Sequence, residues 1–212
     1  MVVMMLRHTS EPDLLCGQAA AMCTGFSGAP EKALRGALKS GHESVAEHAS
    51  FTFVIEGVSR VLLAQLTRHR LASFSVQSQR YCGADMEMVT PESMIRAELV
   101  DDIVEVKRAV KRLHNRCKQM GIPDEDSRFY TLQGGVTRLM MTANARELRH
   151  FFSLRCCNRA QWEIRELATE MLRQCREVAP LLFADAGCAC MAGKPCPEGS
   201  RSCGKPRGRS HE

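Results

Sequence analysis

The sequence predicts an α+β fold, and three observations lead to that class. Short runs rich in β-branched, aromatic or long apolar residues read as strands: residues 2–7, the alternating Phe51, Phe53 and Ile55, and residues 136–142. Longer segments with apolar residues at three- and four-residue spacing read as helices, above all 91–120 and 160–178. No Gly-x-Gly-x-x-Gly follows any strand, which disfavours a Rossmann domain. A chain of 212 residues can bury one good core and still carry a tail.

The elements follow in order. After the first strand, Ser10 is an expected N-cap and Pro12 sits in the first turn of a helix running to about Cys23. A loop at 25–29 leads to a second short helix at 30–40, which ends at Gly41. After the strand at 51–55, the apolar residues of 58–66 fit a helical period, with Gln65 on its margin. The 91–120 segment is the longest expected helix, with Ile95, Leu99, Ile103, Val106, Val110, Leu113 and Cys117 on one stripe. Lys107, Arg108, Lys111, Arg112, Arg116 and Lys118 crowd its other face, as a solvated surface or a nucleic-acid face. Gly121-Ile122-Pro123 ends it. Asn144 opens a helix after the strand at 136–142. In the last helix Ile164, Leu167, Ala168, Met171, Leu172 and Cys175 make a stripe read as core or subunit contact.

Composition sets limits on function. Apolar content is 44% and charged content 25%, ordinary for a globular protein. No run approaches the roughly 18 apolar residues of a membrane span, and the apolar start is too short for a signal-peptide core, so a cytoplasmic protein is expected. A net charge of +5 suits polyanionic small ligands as well as nucleic acid, but one Trp and two Tyr are too few for a base-stacking surface. The 11 cysteines, without a secretory signal, read as reduced thiols or metal ligands.

The densest chemistry lies at 68–81. Arg68-His69-Arg70 closes the 58–66 helix, and Gln77-Ser78-Gln79-Arg80-Tyr81 follows after a small-residue bridge. Arginine presents a charged planar fork suited to phosphates and carbonyl-rich rings, and Ser78 and Gln79 add neutral donors. Read alone, the first cluster also fits a solvated helix end favoured by the helix dipole.

Arg68-His69-Arg70, the seven residues 71–77, then Ser78 and the Gln79-Arg80-Tyr81 run resemble the signature of the flavin-dependent thymidylate synthases. Two further blocks match in order: His42 through Glu47-His48, and Asn144-x-Arg146-x-x-x-His150-x-x-x-x-Arg155. The resemblance spans about residues 40–165. It implies a thymidylate synthase-complementing-protein-like protomer, with a mixed or antiparallel sheet packed by long helices. It further implies one such domain over 1–183, followed by a Cys/Gly/Pro-rich basic tail at 184–212.

The resemblance implies a methyltransferase that makes dTMP from dUMP. FAD is its cofactor, methylenetetrahydrofolate its one-carbon donor and NADPH its reductant, and no enzyme nucleophile takes part. Arg155 is then the catalytic cation at the uracil edge. FAD falls to Ser44, Arg68, His69, Arg70, Asn144, Arg146 and His150. dUMP falls to Gln65, Arg68, Gln77, Ser78, Gln79, Arg80, Arg128 and Arg155, with Ser78 and Arg80 on the phosphate. His42 lies on the folate and nicotinamide side. The sites are shared between subunits of a homotetramer, and neither a nucleic acid nor a membrane is an expected partner. The chain departs from the pattern in three places: Val76 stands where the family usually has Glu or Gln, with Gln77 one residue later; Arg128 is not followed by the usual Leu-Pro pair; and His150 stands where some members carry Asn.

Two other readings stand beside it. His42, Glu43, Glu47 and His48 have ligand chemistry but lack the His-Glu-x-x-His spacing, so polar residues beside a strand are expected rather than a metal site. Cys188, Cys190, Cys196 and Cys203 could bind a metal, though their spacing is not a standard zinc pattern. The alternative function is a basic nucleic-acid-binding protein with a Cys-rich metal-binding tail.

Overall fold

Alternation of side chains builds the centre of the molecule. In the computed structural model, which describes residues 1–81 and 87–207, strands β1 (Val2–His8), β2 (Ser50–Ser59), β3 (Ala72–Val76) and β4 (Val136–Asn144) form one sheet in the order β1-β2-β4-β3. Every pairing is antiparallel, so of the two expected sheet types the antiparallel one holds. Phe51, Phe53 and Ile55 lie opposite Ala143, Met141 and Leu139, and all six are buried. A period of two thus sends one face of the sheet into the core.

Helices α7 (Ala145–Arg155) and α8 (Trp162–Val178) share that core. The whole α8 stripe read from the sequence, Ile164 to Cys175, is buried. Phe51, Phe152 and Phe183 meet at ring-centroid distances of 5.4 and 5.9 Å, edge to face. Each such side chain contributes about 1.5–3 kcal/mol by leaving water. The β2 register shifts between Glu56 and Val58, where Gly57 has φ +71°. A side chain there would be strained, so the bulge needs glycine.

Helices α1 (Pro12–Thr24) and α2 (Pro30–Lys39) pack on each other, and a 3-10 turn, Glu43–His48, leads into β2. The Asp13 carboxylate accepts from the backbone N–H of Leu181 at 2.8 Å and of Leu182 at 2.9 Å, fastening α1 to the chain after α8. Packing carries past residue 183, since Ala186, Cys188 and Met191 join the same core cluster. Arg207 returns to the body by donating to the carbonyl of Cys156 at 2.8 Å. The last five residues of the Cys-rich segment lie outside the described residues.

Three local expectations are corrected. Glu11, in the left-handed region at φ 45°, caps α1 in place of Ser10 and makes no side-chain cap bond. Val58 and Ser59 extend β2, pairing with Thr137 and Val136, so helix α3 is only Arg60–Leu66. The expected helix at 91–120 is two, α4 (Glu92–Arg96) and α5 (Val100–Gln119), broken where Glu98 adopts φ 58°. A short helix, α6 (Asp124–Ser127), and a 3-10 turn, Arg128–Tyr130, then lead to β4.

Candidate active site

The site begins where β4 becomes α7. Asn144 is the N-cap of α7, its Oδ1 accepting from the N–H of Glu147 at 2.9 Å. That fixes the first turn, so Arg146 points outward while Glu147 turns into the protein, 5% exposed. One helical turn on, His150 is exposed and Phe151 is buried. Asn144, Arg146, Glu147 and His150 line a cleft of about 610 Å³ with Glu43, Glu47 and Leu71.

The end of α3 supplies the opposite component. Thr67 closes the helix, and His69 turns inward to 5% exposure while Arg68 and Arg70 stay on the surface. The His69 ring lies edge-on to Phe151 at 4.9 Å and 6.1 Å from the His150 ring. Arg155 donates from Nε to Nε2 of His69 at 3.1 Å, and Nδ1 of the same ring lies 3.2 Å from Glu147 Oε1. Burial, then the charge of Arg155, holds the His69 pKa below the usual histidine value, against the pull of Glu147. Burial also lowers the pKa of Arg155, which stays charged because a guanidinium starts so high.

The carboxylates that line the cleft are all partnered. Glu47 pairs with Arg146, Glu43 with Arg149, and Glu147 with His69. The pairs differ in weight. Arg146 and Glu47 are about half exposed, so their pair contributes at most about 1 kcal/mol and can exchange for a ligand anion. Arg149 is 8% exposed and is held by Glu43, Asp185 and the carbonyl of Leu182, a fixed part of the wall. These pairings use two of the four residues, His42, Glu43, Glu47 and His48, that had the chemistry for a metal.

The other site residues fall into two further groups. His42 and Ser44 line a separate cleft of about 580 Å³ with Cys23, Phe26 and Lys32, on the other side of the 3-10 turn from Glu43 and Glu47. Arg80 pairs with Glu125 at 2.7 Å, and Arg128 donates to the Glu125 carbonyl at 3.2 Å, so Glu125 joins the two arginines. Ser78 Oγ accepts from the Arg80 N–H at 3.2 Å, and the Gln77 N–H extends the β3 pairing to the Arg138 carbonyl. Val76 ends β3 opposite Leu139. Gln65 turns back on its own helix, donating to the Val61 carbonyl at 3.3 Å. Within one protomer, the cleft at Arg146 therefore gathers Asn144, Arg146 and His150, with His69 and Arg155 linked to it through Glu147, while Ser44, Arg68, Arg70 and the 77–80 group do not line it.

Glu147 and Arg149 are site residues that the sequence reading missed, and Glu47, weighed there as a possible metal ligand, pairs with Arg146 instead. Only Glu147 had a local signal, as the acidic residue three positions after an Asn N-cap. The thiols stand apart from this chemistry. Burial pushes Cys16 up to about 11 and Cys156 up to about 12, and raises Cys175 too, so all three stay protonated. Cys188 and Cys190 bring their sulfurs to 3.4 Å, but among the described residues no group of three or more metal-ligating side chains forms.

The chain is an α+β protein whose antiparallel sheet leads into a helix bearing Asn144 and Arg146 at its start and Arg155 at its end, with His69 packed beside it. Residues 4–181 match the model of the thymidylate synthase complementing protein family, and the chain belongs to that family. It is 45% identical to the flavin-dependent thymidylate synthase of Geobacter sulfurreducens, over 97% of this chain and 94% of the relative. It is 44% identical to the enzyme of the same name from Nitratidesulfovibrio vulgaris, over 96% and 94%. The fold superimposes on the flavin-dependent thymidylate synthase of Helicobacter pylori, solved with FAD and dUMP, at a TM-score of 0.71 and 25% identity, covering 88% of this chain and 100% of that one. It also superimposes on a Streptomyces cacaoi UMP/dUMP methylase at a TM-score of 0.77 and 22% identity, covering 86% and 93%, a likeness of fold. No helix among the described residues is long and apolar enough to cross a membrane.

Proposed function

We propose that this chain converts dUMP into dTMP with FAD as cofactor, methylenetetrahydrofolate as one-carbon donor and NADPH as reductant. The observation that carries the reading is a cleft lined by Asn144, Arg146 and His150, backed by the chain of contacts from its wall residue Glu147 to His69 and on to Arg155, in a chain of this family.

The donor set fits a flavin dinucleotide. Arg146 in the first turn of α7 suits a pyrophosphate, aided by the helix N-terminus, and its weak pair with Glu47 is easily exchanged. Arg68 and Arg70 are exposed and have no ion pair among the described residues, so they add unspent positive charge. Asn144 and His150 would address the ring. The chemistry the flavin supplies when bound is the passage of reducing equivalents from NADPH to the one-carbon unit.

The protein's own part is orientation and charge. Arg155 holds a fixed cation at the pyrimidine edge, stabilising negative charge as N3 of the uracil ionises and so making carbon 5 more nucleophilic. Its Nε–H is taken by His69, which leaves the two terminal nitrogens for the substrate. Arg80, Ser78 and Arg128 would grip the dUMP phosphate, with Gln65, Arg68, Gln77 and Gln79 completing the pocket. The Arg80–Glu125 pair is half exposed on both sides, so a phosphate displaces it at little cost. His42 would serve the neighbouring cleft on the folate and nicotinamide side, and Ser44, which lines the same cleft, would meet FAD there.

A homotetramer with shared sites accounts for the separation of these groups along one protomer. The stripe of α5 supports it: among the described residues none of its side chains is buried, and Val106 and Leu113 are 49% and 39% exposed. With Met88, Pro91, Met94, Leu99, Ile103 and Leu132, Val106 lines an apolar cleft of about 290 Å³. Such a surface calls for a protein neighbour.

The test is direct. Purified protein given FAD, dUMP, methylenetetrahydrofolate and NADPH should release dTMP, detected by chromatography. Omission of dUMP should slow NADPH oxidation. No dTMP under these conditions overturns the reading.

A further inference from the structure

A buried carboxylate costs several kcal/mol unless it is well partnered. Among the described residues, the only side chain that hydrogen-bonds to the Glu147 carboxylate is His69, Nδ1 to Oε1 at 3.2 Å. Asn144 fixes the Glu147 backbone by capping its N–H. The pair is therefore held from both ends of its short span.

The proton positions follow from Arg155. A guanidinium can only donate, so the 3.1 Å contact from its Nε requires a lone pair on His69 Nε2. The ring proton must then sit on Nδ1 and donate to Glu147. A doubly protonated ring would set N–H against N–H at Arg155. The charged and titratable groups that face the ring are Glu147, Arg155 and His150, and Phe151 closes it from the edge. Burial and the charge of Arg155 favour the neutral ring.

We propose that Glu147 is a positioning residue: by keeping the His69 proton on Nδ1, it holds the Arg155 guanidinium in the orientation that presents its terminal nitrogens to the pyrimidine. This rests on the reading of Arg155 as the cation at the uracil edge. A third group that orients an imidazole and selects its tautomer is a recurring device in enzyme sites.

The experiment uses the full-length, FAD-loaded protein. Nitrogen-15 signals of His69 are recorded, and dUMP dissociation constants are measured by calorimetry, for the parent, Glu147→Gln, Glu147→Leu and Arg155→Ala. The parent should show a neutral ring protonated on Nδ1. Glu147→Leu should lose that preference and bind dUMP on the order of tenfold more weakly, the loss of one hydrogen bond in a charged network. Glu147→Gln, whose amide oxygen can still accept from Nδ1, should keep both the tautomer and the affinity.

A parent ring protonated on Nε2 overturns the proposal. So does Glu147→Leu with parental dUMP affinity while Arg155→Ala has lost it, and so does a Gln variant that keeps the tautomer but loses the affinity. If Glu147→Leu does not fold, the parent tautomer and the Gln variant still decide. A protein that binds no dUMP at all removes the proposed function, whereas the ring signals separately decide whether Glu147 sets the tautomer.

Discussion

Ser59 and Glu163 are joined twice: the Ser59 N–H donates to one carboxylate oxygen at 2.7 Å and its hydroxyl to the other at 2.5 Å. Both residues are buried, at 2% exposure. The Ser59 hydroxyl also accepts from the N–H of Leu62, capping α3. One pair thus locks the start of α3 to the first turn of α8, and the chain leaving α3 at Thr67 runs straight into Arg68-His69-Arg70. Glu163→Ala leaves two buried donors without acceptors, so a loss of about 3 kcal/mol is expected in chemical unfolding, with Glu163→Gln costing less. It should also loosen His69, lowering FAD occupancy before the protein unfolds.

Arg149 is the second interior anchor. Asp185 lies 2.7 Å away, and burial, which alone would raise its pKa, is outweighed by the hydrogen bond and charge of Arg149, so the value is held below the usual carboxylate range. Arg149→Met removes the donor to the Leu182 carbonyl and the partner of Asp185 and Glu43; both carboxylates are more than a third exposed and screened by solvent, so the cost should be about 1–3 kcal/mol. Limited proteolysis should then cut near residues 184–194 in the folded variant but not in the parent.

The depressed pKa of His69 fixes the sign of a pH effect. Above the ordinary histidine value of about 6.5 the ring is neutral in both the folded and unfolded chains, so its contribution is constant. As pH falls below that value, the unfolded chain takes up the proton first, and folded stability declines until the folded pKa is passed. Thermal midpoints should therefore drop from about pH 6.5 downward, and His69→Asn should show a shallower slope.

Arg155→Ala should reduce dTMP formation by on the order of a hundredfold or more while leaving assembly intact, because it removes preorganised charge rather than packing. Arg155→Lys keeps the charge but loses the Nε–H to His69, so it should recover only part of the rate. Parental turnover in Arg155→Ala would reject the assignment.

The α5 stripe gives a prediction about assembly. Val106→Glu or Leu113→Glu places a charge on an apolar surface without disturbing the protomer core, since neither residue is buried. Sedimentation should show a smaller species than the parent, with near-parental secondary structure.

Much of the fold was legible because it depends on period. The alternation at 51–55 and the α8 stripe each follow from one buried face, and the helix expected to open at Asn144 does so, with Asn144 as its N-cap. Sheet pairing overrode the helical spacing of Val58 and Ser59, which lie opposite Thr137 and Val136. The break at Glu98 had no local signal, as glutamate is a good helix former. The blocks around His69 and Arg155 were visible in the sequence. The contacts that fix them, His69 with Glu147, Arg146 with Glu47 and Arg149 with Glu43, span 78, 99 and 106 residues, which no local pattern encodes.

The absorbance spectrum of the purified, full-length protein, recorded before and after dUMP is added, tests the central claim most directly. The account predicts a yellow protein with a flavin band that shifts when dUMP binds and bleaches faster on NADPH addition in its presence. A protein that stays colourless after incubation with excess FAD and removal of the unbound cofactor would contradict it.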